Sequence, residues 1–155
     1  MIEKTFDNLK HADLQMLQAG FIDSNLIADA RLRRVDDLVG SEIVGRERRA
    51  GTSQARIIFP YFLPSDYINP REYRLRRDQP DYERNGNGEM KEKGKYLTAP
   101  GTRNMIYLPP GLSERELSGA ELPGVLTEGE KKTLASRRLA SEGSDCLRFM
   151  PIGRS

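Results

Sequence analysis

PGVLTEGEKKTLASRRLASEG, residues 123–143, is the stretch on which the fold turns. Val125 and Leu126 form a short apolar run of the kind that makes a buried strand, and Thr127-Glu128-Gly129-Glu130 follows at once. Thr127 with Glu130 three residues on matches a capping box, in which the threonine caps a helix and Glu130 returns a hydrogen bond to the cap. Leu134, Ala135 and Leu139 supply a narrow apolar stripe, Lys131, Lys132, Arg137 and Arg138 a solvated face, and Gly143 an end. With CLRFMPIG (146–153) as a second strand the unit is β-α-β, which implies parallel strands.

That unit sets Glu128 at the carboxyl end of a strand and in the first turn of a helix. Ligands gather at the carboxyl ends of strands in open α/β sheets, and the positive end of a helix keeps a carboxylate ionised. Gly129 lets a substrate approach the backbone. The same position equally suits a glutamate that only complements the helix dipole, and spacing alone leaves both open.

Upstream, Ser113 and Glu116 in LSERELSGAELPG form a second capping box, for a short helix. Residues 55–112 follow strand grammar. ARIIFPYF (55–62) is a compact run of β-branched and aromatic residues whose Pro60 suits an edge or a bulge. REYRLRR (71–77) alternates, with Tyr73 and Leu75 on one side and Arg74 and Arg76 on the other, so a half-exposed strand would present a row of guanidinium groups. YERNGNGEMKEKG (82–94) has the Asn-Gly punctuation of a flexible polar loop and lacks the Gly-Lys-Ser/Thr ending of a phosphate loop. KYLTAPGTRNMIYLPPG (95–111) returns to short extended pieces.

Residues 1–50 form a helical module. Leu14, Leu17 and Phe21 fall at helical spacing with Gly20 placed to end the helix, Asp23 or Ser24 caps a second, and VDDLVGSEIVG (35–45) is a weaker third broken by Gly40. The expected class is therefore mixed α+β and α/β: a helical lead-in over 1–50, a small antiparallel sheet over 55–112, and the opening β-α-β of a parallel sheet over 123–155. A parallel sheet of two strands cannot cover its own faces, so the chain is expected to be part of a longer protein or to need a partner.

Composition narrows the chemistry. The chain has 155 residues, 37% hydrophobic and 31% charged, with a formal net charge of +2 that points to no partner by itself. One cysteine, Cys146, excludes an internal disulfide, and one histidine, His11, excludes a multi-histidine metal site, so any metal must be held by oxygen. No apolar run is long enough to span a bilayer and the first residues lack a secretory core, which reads as cytoplasmic. Between Arg71 and Lys95 eight basic residues face six acidic ones. Arg74, Arg76, Arg77, Lys93 and Lys95 with Tyr96 are the candidate nucleic-acid contacts, cations for phosphates and a ring for stacking; Tyr73 and Tyr82 interleave with them.

VLTEGEKKTLA (125–135) closely resembles the first motif of the Toprim domain of bacterial primases and bacteriophage primase-helicases, in which a hydrophobic strand ends in a glutamate followed by glycine. Residues 57–81 and 93–111 resemble the segments that lead into the Toprim part of such enzymes. Together with the helical start they are similar to an uncharacterised Toprim-like family of plasmid, phage and mobile-element replication proteins. The resemblance implies magnesium-dependent nucleotidyl transfer on DNA, in a primase-like protein, with Glu128 as the acidic residue of the first motif, for proton transfer or as a magnesium ligand. It implies single-stranded DNA as a partner, with a helicase or the missing C-terminal part of the same protein as a second. In that family a downstream Asp-x-Asp pair holds the magnesium. Asp145 is the sole aspartate after Glu128, so independent catalysis by this chain is not expected. A non-catalytic binding module and another Toprim activity, such as a nuclease, are the alternatives.

Overall fold

The computed structural model describes residues 8–45, 56–142 and 148–154. In chain order its elements are α1 (His11–Gln18), α2 (Ser24–Asp29), β1 (Arg33–Val35), α3 (Asp37–Val44), β2 (Arg56–Tyr61), β3 (Glu72–Arg77), β4 (Asp81–Arg84), β5 (Met90–Lys93), β6 (Tyr96–Leu97), β7 (Ile106–Tyr107), α4 (Glu114–Ser118), β8 (Gly124–Glu128), α5 (Glu130–Glu142) and β9 (Met150–Arg154). The class is mixed α+β, with antiparallel sheets and one small mixed sheet containing a parallel pair. The expectations for Gly143, Asp145 and Cys146 lie outside the described residues.

β1, β2, β3 and β6 form a four-stranded antiparallel sheet in that order. β2 is buried along its whole length because both faces are covered. Ile57, Phe59 and Tyr61 point to one side, packing with Leu17 of α1, Ile27 of α2, Tyr107 and Leu134. Ile58 points to the other, with Val35, Val44 and Leu75. This continuous apolar run is what a doubly covered strand requires. Pro60 lies past the end of β1, where β2 has a neighbour on one side only. The larger core therefore draws side chains from all three segments of the chain.

The second sheet is ordered β7-β9-β8, with β7 antiparallel and β8 parallel to β9. β8, α5 and β9 are the β-α-β unit that the sequence implies. Val125 and Leu126 depart from expectation, because β8 is an edge strand and Leu126 is 67% exposed. α5 buries Leu134 but leaves Leu139 exposed. Gly153 of β9 sits where α5 and β7 close on the sheet. A β-carbon there would press into the Thr133 hydroxyl and stand 3.0 Å from Cβ of Tyr107. Gly153→Ala should therefore cost about 3 kcal/mol through overpacking, read as a lower urea midpoint. An unchanged midpoint would contradict this close approach.

Other differences have local causes. Residues 82–94 are not a loop: β4 and β5 pair antiparallel across the connection Asn85–Glu89. The Asn85 side-chain oxygen accepts from the N–H groups of Asn87 and Glu89 and so shapes the turn. Gly40 does not break α3 but is buried within it, and the Asp36 carboxylate caps that helix by accepting from Val39 N–H. Asp23, one of the two expected candidates, caps α2 in the same way, and Ser24 is the first residue of the helix. α4 keeps its Ser113–Glu116 capping box.

The end of α1 does not use Gly20 as its left-handed residue. Ile22 N–H returns to Leu17 O and Phe21 N–H to Gln18 O, a Schellman motif with Phe21 at φ 61°. α2 repeats the motif, with Leu32 returning to Ile27 O and Arg31 at φ 51°. In each, the closing apolar pair, Leu17 with Ile22 and Ile27 with Leu32, is buried. Phe21 is thereby turned outward rather than onto the core face, in a backbone conformation that costs an L-residue roughly 1–2 kcal/mol.

Candidate nucleic-acid interface

β8 ends at Glu128, and the chain turns into α5 through Gly129 at φ 79°, a conformation that glycine holds without strain. Gly129 N–H donates to Arg154 O at 2.9 Å, tying the turn to the end of β9. The Thr133 hydroxyl donates to Gly129 O at 2.9 Å and pairs with the Thr127 hydroxyl at 2.7 Å. Thr127 thus bridges to α5 by its hydroxyl, and the Thr127–Glu130 capping box does not form.

Glu130 goes inward instead. It is 1% exposed; the Tyr61 hydroxyl donates to it, and Arg74 Nη1 lies 3.2 Å from Oε1. The Arg74 guanidinium also stands over the Tyr96 ring at 5.1 Å. Burial, then the Glu130 charge and hydrogen bond, hold the Tyr61 phenol well above the ordinary tyrosine value against the opposing pull of Arg74.

Above this pair lies an open cleft of about 500 Å³, lined by Gly20, Arg74, Tyr96, residues 128–132 and Arg154. Four cations, Arg74, Lys131, Lys132 and Arg154, face two carboxylates, Glu128 and Glu130. The Lys131 amine is held below its ordinary value, first by burial and then by the positive charges of Arg76 and Lys95. The arrangement is an electropositive cleft that suits an anion such as a phosphate.

Glu128 stands at the rim with its side chain 90% exposed, 3.5 Å from Lys132. So exposed an ion pair adds little stability, and the carboxylate is available to a ligand. Of the other expected contacts, Arg74 and Tyr96 line the cleft, and Arg76 shares the inward face of β3 with Arg74, opposite Ile57 and Phe59 of β2. These two guanidiniums therefore lie over a core face, not on an open strand surface. Arg77 is on the opposite face, bound to Asp81 at 2.6 and 3.0 Å. Lys93 pairs with Glu83 on the hairpin and Lys95 with Glu92.

Glu130, Lys131 and Lys132 line the cleft, although the sequence pattern assigns them to a cap and a solvated face, and Arg154, which also lines it, lies just past the strand expected over 146–153. One signal was present. Two lysines in the first turn of a helix oppose its dipole, a local conflict of the kind that marks functional positions.

The implied magnesium finds an incomplete donor set. Among the described residues no three His, Cys, Asp or Glu side chains come together, and the Glu130 carboxylate is engaged by Tyr61 and Arg74. One rim carboxylate does not make a magnesium site without further oxygen donors. Among the described residues no helix is long and apolar enough to cross a membrane. No protein family, curated protein or solved structure matches the chain.

Proposed function

We propose that this chain is the front part of a primase-like, Toprim-containing replication protein of a mobile element, acting in the cytoplasm. In this proposal the cleft at the end of β8 binds single-stranded DNA, and Glu128 is the one acidic residue the chain adds to a magnesium-dependent nucleotidyl-transfer site. The remaining donors come from a C-terminal part of the same protein or from a partner such as a helicase. No reaction step is assigned to this chain alone. The observation that supports it is the placement of Glu128: exposed, at the carboxyl end of a strand in a parallel pair, on the rim of a cleft in which cations outnumber carboxylates.

A second function, a non-catalytic nucleic-acid or replication-partner module, is favoured by the donor set, because among the described residues no three His, Cys, Asp or Glu side chains come together and Glu128 pairs with Lys132. Both share the cleft, and the cleft is directly testable. Binding of fluorescein-labelled oligo(dT) is followed by anisotropy across a salt series. Lys131→Ala and Arg154→Ala should each weaken binding and flatten the log–log salt slope by about 0.7, the single-strand value per phosphate contact, whereas Lys93→Ala on the hairpin should leave the slope alone. Slopes unchanged in both cleft variants would reject the cleft as the binding surface.

A further inference from the structure

Phe21 and Arg31 occupy the same left-handed place in two successive Schellman motifs, and the fold accounts for only one of them. Arg31 stacks over the Phe62 ring at 5.5 Å and reaches the Ile68 carbonyl oxygen at 3.5 Å. The Phe21 ring, by contrast, makes no aromatic or cation contact among the described residues and is 71% exposed. Glycine would close the motif without strain and would remove a bare apolar ring from the surface. The ring belongs to neither core cluster, and strain of this kind collects where a chain meets its ligands.

The position of Phe21 indicates what it meets. Gly20, the preceding residue, forms one wall of the electropositive cleft. The Lys131 amine lies 3.6 Å from where a β-carbon on Gly20 would stand. Phe21 follows that wall residue directly in the chain, and an exposed aromatic ring next to a cationic cleft is the pairing that single-stranded nucleic acid requires, because every base has a face to stack and every nucleotide a charge to neutralise. Tyr96, an aromatic ring that lines the cleft itself, is already covered by Arg74 and tilted against Phe59.

We propose that Phe21 is the base-stacking residue of the cleft, taking one nucleobase of a single strand whose phosphates lie against Lys131 and Arg154; this rests on the nucleic-acid function proposed above. The stacked base is unspecified in sequence, because stacking on phenylalanine carries no hydrogen-bond readout.

The chain contains no tryptophan, so Phe21→Trp introduces a single indole reporter at the site. Its emission should be quenched by oligo(dT) and not by an abasic strand of equal length. Phe21→Gly should raise the thermal midpoint by about 2–4 °C through relief of backbone strain. The same variant should lose about 5- to 100-fold in affinity for oligo(dT) and bind the abasic strand like the wild type. A residue with a merely structural role would not raise stability and lower affinity together. If the wild type binds both strands in a salt-dependent way and Phe21→Gly matches it on oligo(dT), the stacking role is overturned and the cleft stands. If the wild type binds neither strand, both are overturned.

Discussion

Glu130→Ala should lower the folding free energy by about 3–5 kcal/mol, more than any substitution of an exposed charge on this chain. The carboxylate is buried between Tyr61 of β2 and Arg74 of β3, and it is the first residue of α5. Removing it takes the acceptor from a buried phenol and the carboxylate from Arg74, which keeps the Tyr61 oxygen and the Tyr96 ring, while opening a void beneath the cleft. Glu130→Gln keeps an oxygen for the Tyr61 hydroxyl and should lose about half as much. The comparison is made by urea unfolding at fixed pH, and equal stability of Glu130→Ala and wild type would contradict the buried network. The same network contributes to stability in a way that depends on alkaline pH. Because the folded phenol of Tyr61 is held above its unfolded value, its contribution is fully present below about pH 10 and is lost as pH rises further.

Asp13→Ala is expected to cost about 3 kcal/mol. Asp13 is buried in α1 and accepts from Arg34 Nε at 2.7 Å and Nη2 at 2.5 Å, a bidentate pair that ties the first helix to β1. It also accepts from the N–H of Lys10 at 2.8 Å, closing the start of α1. Arg34 holds Asp78 as well, at 2.6 Å, which keeps the loss at the lower end of the range for a broken buried pair. Asp78→Ala, at a more exposed position, should cost no more than about 1 kcal/mol. Equal effects of the two substitutions would contradict this ranking. Burial raises the Asp13 carboxyl, but the Arg34 and Lys10 hydrogen bonds and charges outweigh it and hold the group below its ordinary value. Its folded value being depressed, this stabilisation is present above about pH 4 and falls away as pH drops through the folded value.

Much of the architecture was legible because its signals are local. The apolar run at 57–62, the alternation at 72–77, the caps at Asp23 and Ser113 and the strand-glutamate-glycine-helix junction each depend on residues within one turn or one pleat of each other. The β4–β5 hairpin was not legible, because its strands DYER and MKEK are exposed on both faces and carry no apolar alternation. Its order comes from cross-strand pairs such as Lys93 with Glu83 and from the Asn85 turn. The fate of Glu130 was not legible either. A capping box and a buried ion pair use the same residue at the same spacing, and the choice is made by Tyr61 and Arg74, 69 and 56 residues away in sequence. Phe21 was misplaced for a related reason: helical periodicity counts it with Leu14 and Leu17, but the Schellman turn rotates it out of the stripe.

The positions of the candidate site residues were half legible. Glu128 reached the strand end that its motif implies, and Arg74 reached the cleft, though held by Glu130 rather than arrayed on a free strand. Arg154 comes to the cleft through the parallel pairing of β9 with β8, which sets it opposite Glu128, and no local pattern announces that register.

Backbone amide shifts of the 15N-labelled chain, followed during titration with oligo(dT) at low salt, test the site most directly. Movement concentrated at Gly20, Phe21, Gly129 to Lys132 and Arg154 is the predicted result. Movement confined to the β4–β5 hairpin, or none at saturating oligonucleotide, would place the nucleic-acid surface elsewhere or remove it.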